Sequence, residues 1–110
     1  MVKWQREKLL QELEPEELNE LLEIFYLSSK QLTEEIEKAL SSGEIDTVRE
    51  KAHSLKGACA TIFLEEAHVL AFNLEKAVSL AEAQNLFKKL KKELKAFWQM
   101  LEKRSKDNDK

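Results

Sequence analysis

The chain has 110 residues, a net charge of −3 and 35% charged residues, with only two Gly, one Pro and one Cys. That length holds one hydrophobic core rather than two. So few Gly, Pro and Cys exclude a β-sandwich, a disulfide scaffold and a glycine-rich nucleotide fold. Eighteen Leu, ten Ala, eighteen Glu and fifteen Lys are strong helix formers, and 43% hydrophobic content is too high for a disordered chain. The acidic balance argues against a general nucleic-acid binder, and no apolar run approaches the roughly 20 residues of a membrane span. The lone Cys59 cannot close an internal disulfide and no signal-peptide pattern is present, so a cytoplasmic protein is expected.

In chain order, residues 3–13 read as a short helix whose Trp4, Leu9, Leu10 and Leu13 cap one end of the molecule. Pro15 suits the first turn of a second helix over 15–41, where its missing N–H costs nothing. That helix carries Leu18, Leu21, Leu22, Phe25, Leu32, Ile36, Ala39 and Leu40 at three- and four-residue steps, and Gly43 stops it. A third helix over 44–61 carries Ile45, Val48, Ala52, Leu55 and Cys59, with Ile62 continuing the stripe. A fourth over 64–78 carries Leu64, Ala67, Leu70, Ala71, Leu74 and Val78, although no turn residue marks the junction near 62–64. Ser79–Leu80–Ala81–Glu82 is a capping-box pattern opening a fifth helix over 80–103 with Leu86, Leu90, Leu94, Phe97 and Leu101. Four long amphipathic stripes joined by short turns make an all-α, antiparallel four-helix bundle with a short additional N-terminal helix. Residues 1–103 form this one domain, and 104–110 form a polar tail.

Charge is uneven along the chain. Residues 1–43 hold five basic and ten acidic side chains, whereas 79–110 hold nine basic and five acidic. The run Lys88, Lys89, Lys91, Lys92 and Lys95 reads as the solvated face of the last helix, with attraction for an anionic partner as the alternative. Trp4, Tyr26, Phe72 and Trp98 lie off or beside the stripes, open to either core or partner contact.

The third helix holds the chemically suggestive cluster. At about 100° per residue, His53 lies about 125° from the centre of its core stripe, on the shoulder of the buried face. Lys56 follows at i+3 and Gly57 at i+4. A mid-helix glycine costs about 1 kcal/mol relative to alanine. Side chains lean toward the helix N-terminus, so any larger residue at 57 would cover the ring. A neutral imidazole is a competent nucleophile near neutral pH, and the Lys56 ammonium would find a phosphoryl group on it within one turn.

The stretch Ala52–His53–Ser54–Leu55–Lys56–Gly57 resembles the Ala-His-x-Leu-Lys-Gly signature of histidine-containing phosphotransfer (HPt) domains. The resemblance spans roughly 8–101 and includes Phe25, the Gly43–Asp46 run and Leu74–Glu75. It implies that His53 accepts a phosphoryl group from a receiver-domain aspartate or a sensor histidine kinase and passes it on. Lys56 would stabilise the phosphate and Gly57 would keep the docking face flat. The magnesium of such transfers belongs to the receiver, so no cofactor or metal of this chain is implied, and no autonomous kinase activity. A monomer is expected. Phe63 departs from the family, which usually has a second glycine ten residues after the histidine. Between two apolar neighbours, its ring is expected to turn inward.

Two other readings stay open. One is a structural or adaptor bundle in which His53 has no chemistry. The other is a metal-binding bundle, because Glu50/His53 and Glu65/His68 are both Glu-x-x-His pairs. Helical geometry sets Glu50 about 175° and Glu65 about 140° from the core centres of their helices, against such a site. His68 carries no Lys-Gly behind it, and Cys59 lies on the core stripe.

Overall fold

A computed structural model describes residues 4–108 of the chain, with side chains through residue 104. Five helices follow one another: α1 (Arg6–Leu10), α2 (Pro15–Ser41), α3 (Ile45–Thr61), α4 (Glu65–Glu75) and α5 (Leu80–Asn108). Helices α2 to α5 form the antiparallel bundle, in which α2 packs on α3, α3 on α4, α4 on α5 and α5 back on α2. The α3–α5 pair is the diagonal.

Local chemistry explains the boundaries. At the start of α2, Pro15 takes the first helical position, and the Glu14 N–H donates to Glu17 Oε1 at 3.0 Å in a reciprocal capping box. At the start of α5, the Glu82 N–H donates to Ser79 Oγ at 3.2 Å, as the sequence pattern requires. The ends of α2 and α3 are built alike. After α2, Glu44 N–H bonds Ala39 O at 2.9 Å across Gly43, whose φ is +71°. After α3, Leu64 N–H bonds Cys59 O at 3.0 Å across Phe63, whose φ is +58°. Both are Schellman closures, which need a left-handed residue after the helix. The missing turn residue near 62–64 is therefore Phe63 itself, in a conformation that glycine adopts more cheaply.

Three helices differ from the sequence expectation by more than one residue. Helix α1 is one and a half turns long: it begins at Arg6 rather than near residue 3, with Trp4 and Gln5 outside it, and gives way to a turn at Gln11 before the expected end at Leu13. Helix α4 ends at Glu75, so Val78 falls in the connection and is 80% exposed rather than on the core. Helix α5 continues to Asn108, because its Lys, Glu and Arg residues favour helix and no breaker follows Lys103.

The core runs from Leu18, Leu22 and Phe25 through Val48, Leu55 and Cys59 to Leu74, Leu90, Leu94 and Phe97. Burial pushes the Cys59 thiol up to about 12, which leaves it inert packing. Two polar residues join this core. Trp98 donates its Nε1–H to Ser29 Oγ at 2.8 Å, and Thr33 Oγ1 donates to Ser29 O at 2.7 Å. Trp4 packs edge-on against Phe97 at 5.1 Å and donates to Ile62 O at 2.8 Å. The N-terminal segment thus seals the end of the bundle that holds the α3–α4 turn.

The Phe63 ring is half-buried against the core, with Lys8 Nζ 5.6 Å from its centroid. It lies between core and surface instead of turning fully inward, because a left-handed residue in a tight turn projects its side chain along the rim. Phe63→Ala loses the ring and keeps the unfavourable φ, which costs about 1–2 kcal/mol. Phe63→Gly loses the same ring but relieves the backbone. Urea denaturation should place the Gly variant above the Ala variant by about 1 kcal/mol. An Ala variant as stable as the Gly variant would show that the turn is unstrained.

Candidate functional site

Rotation of α3 is fixed by Val48, Ala52, Leu55 and Cys59, all fully buried. That rotation puts His53 beside the groove between α3 and α4, with its side chain 66% exposed. On the facing helix, Leu74 is fully buried and fixes Glu75, the last residue of α4, toward α3. The Glu75 carboxylate bridges two groups of α3. Its Oε1 lies 2.6 Å from His53 Nδ1, and its Oε2 accepts from Lys56 Nζ at 2.7 Å.

Electrostatics orders this triad. The Lys56 hydrogen bond first, and the His53 hydrogen bond second, hold the Glu75 carboxyl below its ordinary value of 4.5. Glu75 is thus ionised at neutral pH and can only accept hydrogen bonds. Nδ1 therefore carries the shared hydrogen, and in the neutral ring Nε2 keeps the lone pair.

Gly57 is exposed, and a Cβ built on it meets nothing within 4 Å. A close helix contact is therefore not the reason for a glycine here. Exposed apolar side chains occur on both helices that pack against α3. Phe72 on α4 is partly exposed with Lys56 and Lys76 above its ring at 5.5 and 4.6 Å, and Val69 is exposed one turn earlier. On α2, Ile24 and Leu27 are each 61% exposed.

The structure brings His53 and Lys56 together, but through a residue to which the sequence pattern assigned no role. Glu75 was legible only as part of the Leu74–Glu75 pair of the family resemblance, with no role attached, because spacing within one helix carries no register between two. Phe72, undecided from sequence, lies on this face, whereas Trp4 and Trp98 serve the core. The two Glu-x-x-His pairs do not converge. Glu50 and Glu65 are exposed, His53 pairs with Glu75, and no group of three or more potential ligands is present among the described residues. The α5 lysines line an open cleft of about 480 Å³ with Ala96 and Gln99, and Lys91 pairs with Glu37 at 2.9 Å.

The model of the Hpt domain family matches residues 20–102, a stretch that includes all of α3 and α4. The chain belongs to this family of helical phosphocarriers, whose role is phosphotransfer in two-component signalling. No curated protein and no solved structure matches it. Hpt domains interact with receiver domains and histidine kinases and are not themselves kinases. No helix among the described residues is long and apolar enough to cross a membrane.

Two outcomes test the geometry. Gly57→Ala should stabilise the fold by up to about 1 kcal/mol in thermal or urea melts, because the methyl group enters open space on a helix. Glu75→Gln should remove a pH-dependent increment of stability. A lowered carboxyl contributes fully above its ordinary value of 4.5, and the contribution fades as pH falls through the lowered value. The Tm difference between wild type and Glu75→Gln should therefore be largest near neutrality and shrink in acid. A difference that grew in acid would contradict the bridge.

Proposed function

We propose that His53 is the phosphoacceptor of this domain and that it reacts through Nε2. The observation that carries this reading is the Nδ1–Glu75 hydrogen bond on an exposed ring, which directs the lone pair to the opposite nitrogen. The donor is a receiver-domain aspartyl phosphate or a histidine kinase. In transfer from a receiver, Nε2 attacks phosphorus, the P–N bond forms, and the P–O bond to the aspartate breaks with the carboxylate leaving. The ring then carries positive charge while it retains the Nδ1–H, and Glu75 holds that charge. Lys56, within hydrogen-bond reach of the same carboxylate, turns toward the incoming phosphoryl oxygens. Onward transfer is the same step reversed on a second receiver.

On this reading the clearance at Gly57 admits the partner's active-site rim, and Phe72 and Val69 supply apolar contact beside it. The reading carries with it a monomeric carrier in the cytoplasm.

The test is incubation with phosphorylated receiver domains followed by mapping of acid-labile label. Label should fall on His53, vanish in a folded His53→Gln variant and persist in His68→Gln. Label on His68, or label surviving in His53→Gln, would end the assignment. Lys56→Ala should slow transfer several-fold at low salt and less at high salt, since a surface charge interaction is screened. Gly57→Leu should fold normally and transfer slowly, and a full rate in that variant would remove the docking role of this glycine.

A further inference from the structure

Glu75 is the last residue of α4, so its position depends on how that end is held. Helices α2 and α3 close on themselves through left-handed residues at Gly43 and Phe63. The end of α4 has no such closure. Lys76 follows with φ −97° and ψ 3°, and only short-range bonds continue the chain, Lys76 N–H to Asn73 O and Ala77 N–H to Leu74 O at 3.1 and 3.2 Å. A terminal turn of that kind frays unless something outside it supplies donors.

Arg49 supplies them. Its Nε–H and Nη2–H both donate to Ala77 O, at 2.9 and 2.7 Å. Ala77 is fully buried, so the fork grips a fixed point of the chain. The guanidinium also meets the negative end of the α4 dipole. Its other contact, to Asp46 at 3.5 Å, is long and involves a carboxylate that is 95% exposed. The Ala77 grip is therefore the one that orders the side chain. Arg49 sits one turn before His53 on α3, so the same helix that presents the imidazole also fixes the end of α4 that orients it.

We infer that Arg49 is a positioning residue for phosphotransfer, acting through Glu75 on the tautomer of His53. This rests on the reading of His53 as the acceptor. Without the fork, the last turn of α4 loosens, the Glu75 carboxylate leaves Nδ1, and the ring spends part of its time with the hydrogen on Nε2, where it cannot attack. No contact between Arg49 and the phosphoryl group is required.

The test uses Arg49→Gln, Arg49→Lys, Glu75→Ala and the Arg49→Gln/Glu75→Ala double variant of the full chain. Phosphoramidate serves as the phosphoryl donor, since so small a molecule bypasses partner docking. Its P–N bond breaks, ammonia leaves, and the new bond forms at the imidazole. Labelling of His53 should slow several-fold in Arg49→Gln, in proportion to the fraction of rings that lose the Nδ1–H tautomer. Arg49→Lys should recover part of the rate, with one donor instead of two. In the Glu75→Ala background, where no side chain is left to hold Nδ1, the Arg49→Gln change should have no further effect. Nitrogen NMR should show the Nδ1–H tautomer in wild type and a tautomer mixture in Arg49→Gln, at a thermal midpoint that confirms folding.

An unchanged tautomer and rate in Arg49→Gln would overturn the inference, and so would effects of the two substitutions that simply multiply. A wild type that takes no label on His53, while its tautomer still responds to Arg49, would instead count against the acceptor assignment and leave the positioning chain standing.

Discussion

A single carboxylate organises the exposed face of this bundle. Glu75 holds the imidazole of His53 with one oxygen and the ammonium of Lys56 with the other, and both belong to the opposite helix. The bond lengths, 2.6 and 2.7 Å, are those of charge-assisted pairs. Such pairs add little to stability where water competes. Their consequence here is orientation, since an ionised carboxylate on Nδ1 fixes which ring nitrogen is basic. The rest of the α3–α4 hairpin bears on whether that carboxylate arrives in register.

Register between the two helices is set at both ends of the hairpin by different means. At the turn, the Schellman closure through Phe63 fixes how α4 departs, and Trp4 ties down Ile62 O from the N-terminal segment. At the far end, Arg49 holds Ala77 O. Between them lie the fully buried Val48, Leu55, Cys59, Ala71 and Leu74. A shift of one residue in α4 would turn Leu74 out of the core and carry Glu75 about 100° away from His53. The hydrophobic pattern and the polar site therefore select the same alignment, which is the internal consistency expected of a sequence with one stable fold.

The bundle was legible because four stripes with period near 3.6 leave few other architectures. His53, Lys56 and Gly57 were legible because they share one helix, where spacing alone fixes geometry. Features that depend on two helices were not. Glu75, one glutamate among eighteen, is marked by the family resemblance but acquires a role only when the hairpin register is known. Ser29 and Thr33 interrupt the apolar stripe of α2; their hydroxyls are tolerated there because Thr33 donates to Ser29 O within the helix and Ser29 Oγ accepts the Trp98 N–H across the core, a partner that only the tertiary structure supplies. Val78 continues the apolar spacing three residues past the end of α4, while the backbone leaves the helix at Lys76. Phe63 departs from its pattern in the opposite sense. Apolar neighbours suggested an inward ring, but the left-handed φ demanded by the turn decides where the side chain goes.

The charge balance of the resting triad bears on why such a site suits a carrier. With a neutral imidazole, Lys56 and Glu75 cancel, so an incoming phosphoryl group meets neither a net repulsive nor a strongly attractive site. A lone lysine beside the ring would bind the phosphoryl group more firmly, by about 1–4 kcal/mol of unscreened attraction at contact. A lone glutamate would repel it by a similar amount. If His53 is the acceptor, as proposed, Lys56 must divide itself between Glu75 and the phosphoryl oxygens, and the phosphorylated state gains less than the full attraction. On the proposed reading, the phosphoryl group therefore sits in a shallow well. A shallow well limits how long the group is retained, and it allows the same histidine to give up what it has accepted.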